Sequence, residues 1–204
     1  MGWYTQVVFP RLCDLLLNRP LVSLHRRELL ADAHGDVLKI GFGTGLNLPL
    51  YPKGVRKLTT VDPNAGMQSL AGRRIKKSGI EVDQRVLSGE RLPFDDGTFH
   101  CVVSTFTLCS IAGVGQALGE VYRVLKPGGR FLFFEHGLRP QPSVRWWQRR
   151  LNWLEMRLAD GCRLDRDIRA IVMAQPFSSV QIDQFYMSSF PKTHGYMSRG
   201  VATK

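Results

Sequence analysis

Three glycines stand at alternate positions in Gly41-Phe42-Gly43-Thr44-Gly45, directly after the short apolar run Val37-Leu38-Lys39-Ile40. A glycine cluster at the end of a strand makes a tight turn and lets a ligand approach the main chain. Asp62 ends a second strand-like run, Lys57 to Val61, 21 residues after Gly41. A carboxylate there is placed to accept hydrogen bonds from two ribose hydroxyls. A dinucleotide site needs another glycine three positions after the second, and that position is Leu46. The pattern therefore predicts a ribose-bearing cofactor that has no pyrophosphate.

Other groups that could do chemistry are scattered. His136 and Glu135 follow a buried-strand pattern, Phe131 to Phe134, at its carboxyl end. His136 is either a base beside the acceptor or a histidine that fixes a loop. Asp160 precedes Gly161-Cys162-Arg163 between two helical segments, and Cys162 reads as a small buried thiol. The four cysteines, Cys13, Cys101, Cys109 and Cys162, form no CxxC pair and no nearby histidine pattern. That spacing predicts neither a metal site nor a disulfide framework.

These residues need elements to hold them. Runs at 57–61, 82–87, 101–104 and 131–134 read as strands, and residues 66–77, 143–158 and 165–173 as helices. Ala117, Leu118, Val121, Val124 and Leu125 recur at helical spacing, and Lys126-Pro127-Gly128-Gly129 stops that helix. Strands at 180–186 and 195–202, joined near Pro191, suggest an antiparallel pair at one edge. Alternation of strand and helix predicts an α/β fold with a mostly parallel sheet and helices on both faces. Its 204 residues suit one domain: a helical cap at 1–35, a cofactor-binding core at 36–137, and lid helices with terminal strands at 138–204.

The motifs LKIGFGTG, VDPN, SGERLPFDDGTFHCVVSTFTLCSI and EVYRVLKPGGRFLFFEHG resemble, in order and spacing, those of the class I S-adenosylmethionine methyltransferases, type 11 and UbiE-like. They cover residues 36–137. TLCS, FEHG, DGCRL and a terminal HGY are similar to the alkyl-thiol "methyltransferase-like 7" branch and its bacterial relatives. The resemblance implies a Rossmann-like seven-stranded sheet with S-adenosyl-L-methionine as cofactor and S-adenosyl-L-homocysteine as product. It implies Gly41, Gly43 and Gly45 along the methionine part, Asn47 near its carboxylate and Asp62 on the ribose. Gly89 and Glu90 would flank the adenine, and Thr105 would face the sulfonium. Family members carry an acid where this chain has Lys39. The lysine either brings like charge to a cationic ligand, so that Lys39→Glu binds it more tightly, or snorkels away.

The implied activity is methyl transfer to a small or lipophilic acceptor. A thiol ionises near pH 8.5 and needs little help, whereas a phenol or ammonium needs a base; His136 and Asp160 are the catalytic candidates. Ser104-Thr105-Phe106-Thr107 lacks the acid and prolines of base-amino methyltransferases, so no nucleic-acid substrate is expected despite a net charge of +11. Trp147, Leu151, Leu154 and Leu158 follow one helical stripe beside Trp146 and Trp153, and residues 137–170 hold eight arginines against four acids. Such a segment is a membrane-surface helix, a lid over an apolar substrate, or an ordinary amphipathic helix packed on the sheet. The N-terminus shows no basic signal-peptide region and no apolar run spans a bilayer. A cytoplasmic protein, at most peripheral on an anionic membrane, is expected. A phospholipid or quinone-type methyltransferase is the alternative enzyme, and a non-catalytic binding protein that keeps the fold is the alternative of another class.

Overall fold

A computed structural model describes residues 2–204; Met1, counted in the predicted cap, lies outside them. The strands are β1 (Gly35–Ile40), β2 (Val55–Val61), β3 (Glu81–Arg85), β4 (Phe99–Thr105), β5 (Leu125–His136), β6 (Ser179–Tyr186) and β7 (Tyr196–Thr203). The helices are α1 (Phe9–Leu17), α2 (Pro20–Leu30), α3 (Ala65–Ser78), α4 (Val114–Val124), α5 (Pro142–Leu158) and α6 (Ile168–Met173). The sheet runs β3-β2-β1-β4-β5-β7-β6. Its first five strands are parallel, while β7 is antiparallel to both β5 and β6. The order of elements and the antiparallel edge match the expectation.

Buried strands with apolar residues on both faces create two cores. Val37, Leu58, Val103, Leu132 and Phe134 face Leu29 and Leu30 of α2 and Ala71 of α3. Leu38, Val102, Phe131 and Phe133 face Leu118 and Val121 of α4 and Ile168 and Val172 of α6. Strand order reverses between β1 and β4, which opens a crevice at the carboxyl ends of the parallel strands, where ligands of such sheets bind.

Three local expectations change. Helix α4 ends at Val124, before Lys126-Pro127-Gly128-Gly129, and that tetrapeptide forms an irregularity in β5. Gly128 takes φ +73°, and the pairing jumps from Phe99–Leu125 to Cys101–Arg130. Helix α6 starts only at Ile168, because the Asp167 side chain caps it by accepting from the Ala170 N–H.

The third concerns α5, for which packing on the sheet is one of three readings of the sequence. Its apolar stripe points mostly outward: Trp147 is 54% and Leu158 50% exposed, with Trp146, Trp153 and Leu154 exposed beside them, while Leu151 is half-buried. The inward face is Val144, Gln148 and Asn152. Gln148 donates to the carbonyls of Gly137 at 3.0 Å and Thr193 at 2.9 Å and accepts from the Arg139 N–H at 3.0 Å. Asn152 accepts from the Leu164 N–H at 2.9 Å. The helix is fastened by satisfied amides, which leaves its tryptophans free. Among the described residues no helix is long and apolar enough to cross a membrane.

Candidate active site

Helix α1 is hydrogen-bonded to the glycine loop. Arg74 of α3 donates to both carboxylate oxygens of Asp14 on α1, at 2.8 and 3.1 Å, and to the Thr44 carbonyl at 2.9 Å. Thr44 donates to Asp14 at 2.5 Å. One carboxylate thus ties cap, loop and helix together.

The glycines answer to different constraints. Gly41 has φ +66°, and a Cβ there would lie 2.1 Å from the Thr107 hydroxyl. That glycine is demanded by the neighbouring loop. Gly43 has φ +59° and open space where a side chain would project. Its N–H donates to Asp62 Oδ2 at 2.8 Å, and Asn64 N–H donates to Oδ1 at 2.8 Å. Each oxygen keeps a second lone pair for another donor. Burial raises the Asp62 pKa, against the pull of those two N–H groups and Lys39.

A cavity of about 340 Å³ lies over this turn. Of the predicted cofactor residues Gly41, Gly43, Asn47, Asp62, Gly89, Glu90 and Thr105 border it. Gly45 does not border it: a Cβ there would meet Leu48 and Ala71, so this position turns the chain against α3. Asn47 donates to the Thr105 hydroxyl at 3.3 Å, while its own Oδ1 is buried without a partner.

The methyltransferase domain family matches residues 38–133. The thiol S-methyltransferase TMT1B of Rattus norvegicus is 35% identical over 189 residues, covering 86% of this chain and 77% of that protein. The chain belongs to the class I S-adenosylmethionine-dependent methyltransferases. The ubiquinone/menaquinone biosynthesis C-methyltransferase UbiE of Rubrivivax gelatinosus is 34% identical over 143 residues, 67% of this chain and 54% of that one. A SAM-dependent methyltransferase of Thermotoga maritima has the same fold, with TM-score 0.69 at 18% identity over the whole of both chains.

The donor set of this methyltransferase fits its cofactor. Asp62 offers free lone pairs to a ribose diol, Gly43 leaves room beside the turn, and the unpartnered Asn47 Oδ1 is a buried acceptor awaiting a donor such as an ammonium. Sequence reasoning missed Arg26. This α2 residue is 3% exposed, borders the cavity and stacks on Phe106, with its Cζ 5.5 Å from the ring centroid. It donates to the Leu17 carbonyl at 3.0 Å, and its Nε is buried without a partner. Burial lowers its pKa to about 10. The missing signal is distance along the chain, since nothing in the α2 sequence marks one arginine among its basic residues.

Lys39 does not snorkel. It is 2% exposed and donates to the carbonyls of Ile40 at 2.6 Å and Gly41 at 2.5 Å. Burial pushes its pKa well down, opposed by the charges of Glu135 and Asp62. Glu135 is also fully buried and accepts from the Ser104 hydroxyl at 2.7 Å and the N–H groups of Thr107 and Leu108 at 2.8 and 3.1 Å. It therefore clamps the loop after β4 to the end of β5. Burial pushes its pKa up.

The two catalytic candidates lie in different surroundings. Asp160 borders the cavity and accepts from Asn64 Nδ2 at 2.8 Å. Its φ of +49° is unusual for a residue with a side chain, and Gly161 follows at +82°. His136 is 7% exposed and does not border the cavity. Its Nε2 is 3.1 Å from Cys162 Sγ, and its donor atoms group with those of Cys109 and Cys162. Three residues that look unrelated in sequence are therefore neighbours.

Proposed function

We propose that this methyltransferase alkylates the sulfur of a small, lipophilic thiol while resting on an anionic membrane surface. The observation that carries the acceptor class is the 35% identity, over 86% of the chain, to an enzyme named for thiol S-methylation. The state of the cavity acids supports it. Asp62 holds two N–H groups, Glu90 accepts from Gly113 N–H at 2.5 Å, and Asp160 accepts from Asn64. Each cavity acid already accepts a hydrogen bond, which makes it a weaker base. A thiol needs less help than an amine or phenol, because sulfur is intrinsically nucleophilic and a cysteine-like thiol, with a pKa of about 8.5, is partly ionised at neutral pH.

S-adenosylmethionine, when bound, supplies an electrophilic methyl group on a sulfonium. Asp62 would hold its ribose and Arg26 its carboxylate, while Asn47, expected near that carboxylate, would through its Oδ1 take the ammonium instead, and Thr105 borders the same cavity. The cap residues Phe9, Cys13 and Leu17 roof the cavity with mainly apolar surface, which suits an apolar acceptor and excludes water.

The membrane reading rests on two adjoining apolar surfaces. Trp3, Leu15 and Leu16 of the cap are exposed, as are Trp146, Trp147 and Trp153 of α5. The Tyr4 hydroxyl donates to the Leu158 carbonyl at 2.9 Å and joins the two segments. Arg150 and Arg157 stack on Trp146 and Trp153. Aromatic residues interleaved with arginine suit an anionic lipid interface. The same surface, with the relation to UbiE, favours a quinone-type acceptor as the second reading. A labelled-methyl screen across alkyl thiols, phospholipids and quinone precursors tests the proposal. Thiol methylation is expected, and label in lipid or quinone alone would overturn it.

A further inference from the structure

A second constellation lies outside the cofactor cavity. Cys109 sits in the loop after β4, His136 is the last residue of β5, and Cys162 lies in the segment between α5 and α6. The two sulfurs and one ring nitrogen all lie within 4.8 Å of one another, and all three residues are buried. His136 Nε2 and Cys162 Sγ are 3.1 Å apart. In a tetrahedral zinc site, with bonds of about 2.3 Å to sulfur and 2.0–2.1 Å to nitrogen, donors stand roughly 3.4–3.8 Å apart. Small shifts in side-chain torsion would bring this triangle to that size.

We propose that Cys109, His136 and Cys162 bind a zinc-class divalent cation, with a water or other outside ligand in the fourth position. Among the described residues no fourth histidine, cysteine or carboxylate joins the group. The donor chemistry selects the ion. Two thiolates and an imidazole suit a borderline-soft metal and are poor ligands for magnesium or calcium, which take oxygen. Binding releases both thiol protons to solvent while the imidazole coordinates as the neutral ring. Two thiolates then cancel the charge of the ion, so the buried complex is neutral and avoids the cost of an unpaired charge.

Position gives the ion a task. Ser110 and Asp160, which border the cavity, are next to Cys109 and two residues before Cys162. The same two segments are already laced together: Arg163 N–H donates to the Cys109 carbonyl at 3.1 Å. Arg166 donates to the Leu108 carbonyl at 2.6 Å and to the Ile111 carbonyl. A metal would lock this wall and hold Asp160 in its left-handed backbone conformation.

The test uses the full chain, purified under reducing conditions without chelator. Elemental analysis should find one zinc per chain. After the metal is removed, cobalt(II) should bind with equal stoichiometry, giving thiolate-to-metal charge-transfer absorption and the intense visible bands of tetrahedral coordination. Cys109→Ser and Cys162→Ser should each weaken cobalt binding by roughly a hundredfold or more, since even outer-shell changes cost 10–100-fold. Should a variant misfold, the wild-type measurement decides alone. Folded, reduced wild-type protein that retains no zinc and gives no thiolate–cobalt absorption would overturn the proposal, as would unchanged spectra in both variants. Because the readout is metal binding, the outcome is independent of which acceptor is methylated.

Discussion

Gly43 donates its N–H to Asp62 Oδ2 at 2.8 Å, so the glycine turn after β1 and the residue after β2 form one hydrogen-bonded unit. The turn keeps its shape because the ribose acid holds it, and the acid is oriented because the turn holds it. Asp62→Ala should therefore do two things. Loss of hydrogen bonds to a charged acceptor, at about 1.5–3 kcal/mol, should weaken cofactor binding roughly 10- to 100-fold. The unpaired Gly43 and Asn64 N–H groups should lower stability as well. Calorimetric titration and denaturant unfolding measure the two effects separately.

Gly41 and Gly43 should respond differently to alanine. Both pay about 1–2 kcal/mol for a left-handed backbone. Only at Gly41 does the new methyl strike the Thr107 side chain. Gly41→Ala should lower the Tm clearly more than Gly43→Ala, and equal losses would contradict the packing described for that turn.

Arg26→Met tests the buried guanidinium. With the Leu17 carbonyl its hydrogen-bond acceptor among the described residues and Nε unpaired there, the side chain has donors to spare for a carboxylate. Cofactor affinity should fall roughly tenfold or more, in line with a charged hydrogen bond. A decarboxylated cofactor analogue should bind wild type and variant alike. If the analogue also distinguishes them, Arg26 acts on packing and not on the carboxylate.

Lys39 gives a pH signature. Burial holds its folded pKa well below the ordinary 10.5. Between those two values the unfolded chain carries a proton that the folded protein does not, so stability rises with pH across that window. Below the folded value the lysine is charged in both states and its burial cost is at its largest. The Tm difference between wild type and Lys39→Met should move in favour of wild type as pH rises from neutral toward 10. A pH-independent difference would mean that the ammonium is not penalised by burial.

On α5, Gln148→Leu should destabilise by about 1–3 kcal/mol, because it strands the Gly137 and Thr193 carbonyls and the Arg139 N–H. Trp147→Ser and Trp153→Ser should leave the Tm nearly unchanged and reduce co-sedimentation with anionic vesicles. Full retention of vesicle binding in the double variant would remove the membrane reading.

Much of this architecture was legible in the sequence. Strands β4 and β5 contain the apolar runs Cys101–Val103 and Phe131–Phe134, and Gly-x-Gly-x-Gly with Asp62 marks the crevice without help from tertiary contacts. The face of α5 was not legible, because an apolar stripe ordinarily packs inward, and here Gln148 and Asn152 satisfy the buried side instead. Gly45 shares the motif of Gly43 and yet faces α3, a distinction that only the path of the chain after Leu46 makes. The group of Cys109, His136 and Cys162 escaped for a related reason. Spacing rules detect ligands on one hairpin or helix, whereas these three come from separate segments that meet at the end of β5.

In the proposed reaction the acceptor supplies its own nucleophile in a cavity whose acids are each engaged by a hydrogen bond. The direct measurement is the pH profile of kcat/KM for a series of alkyl and aryl thiols of differing pKa. The midpoint should move with the pKa of each thiol, because the thiolate fraction sets the rate. A midpoint that stays fixed across the series would assign proton removal to a protein group and contradict the account.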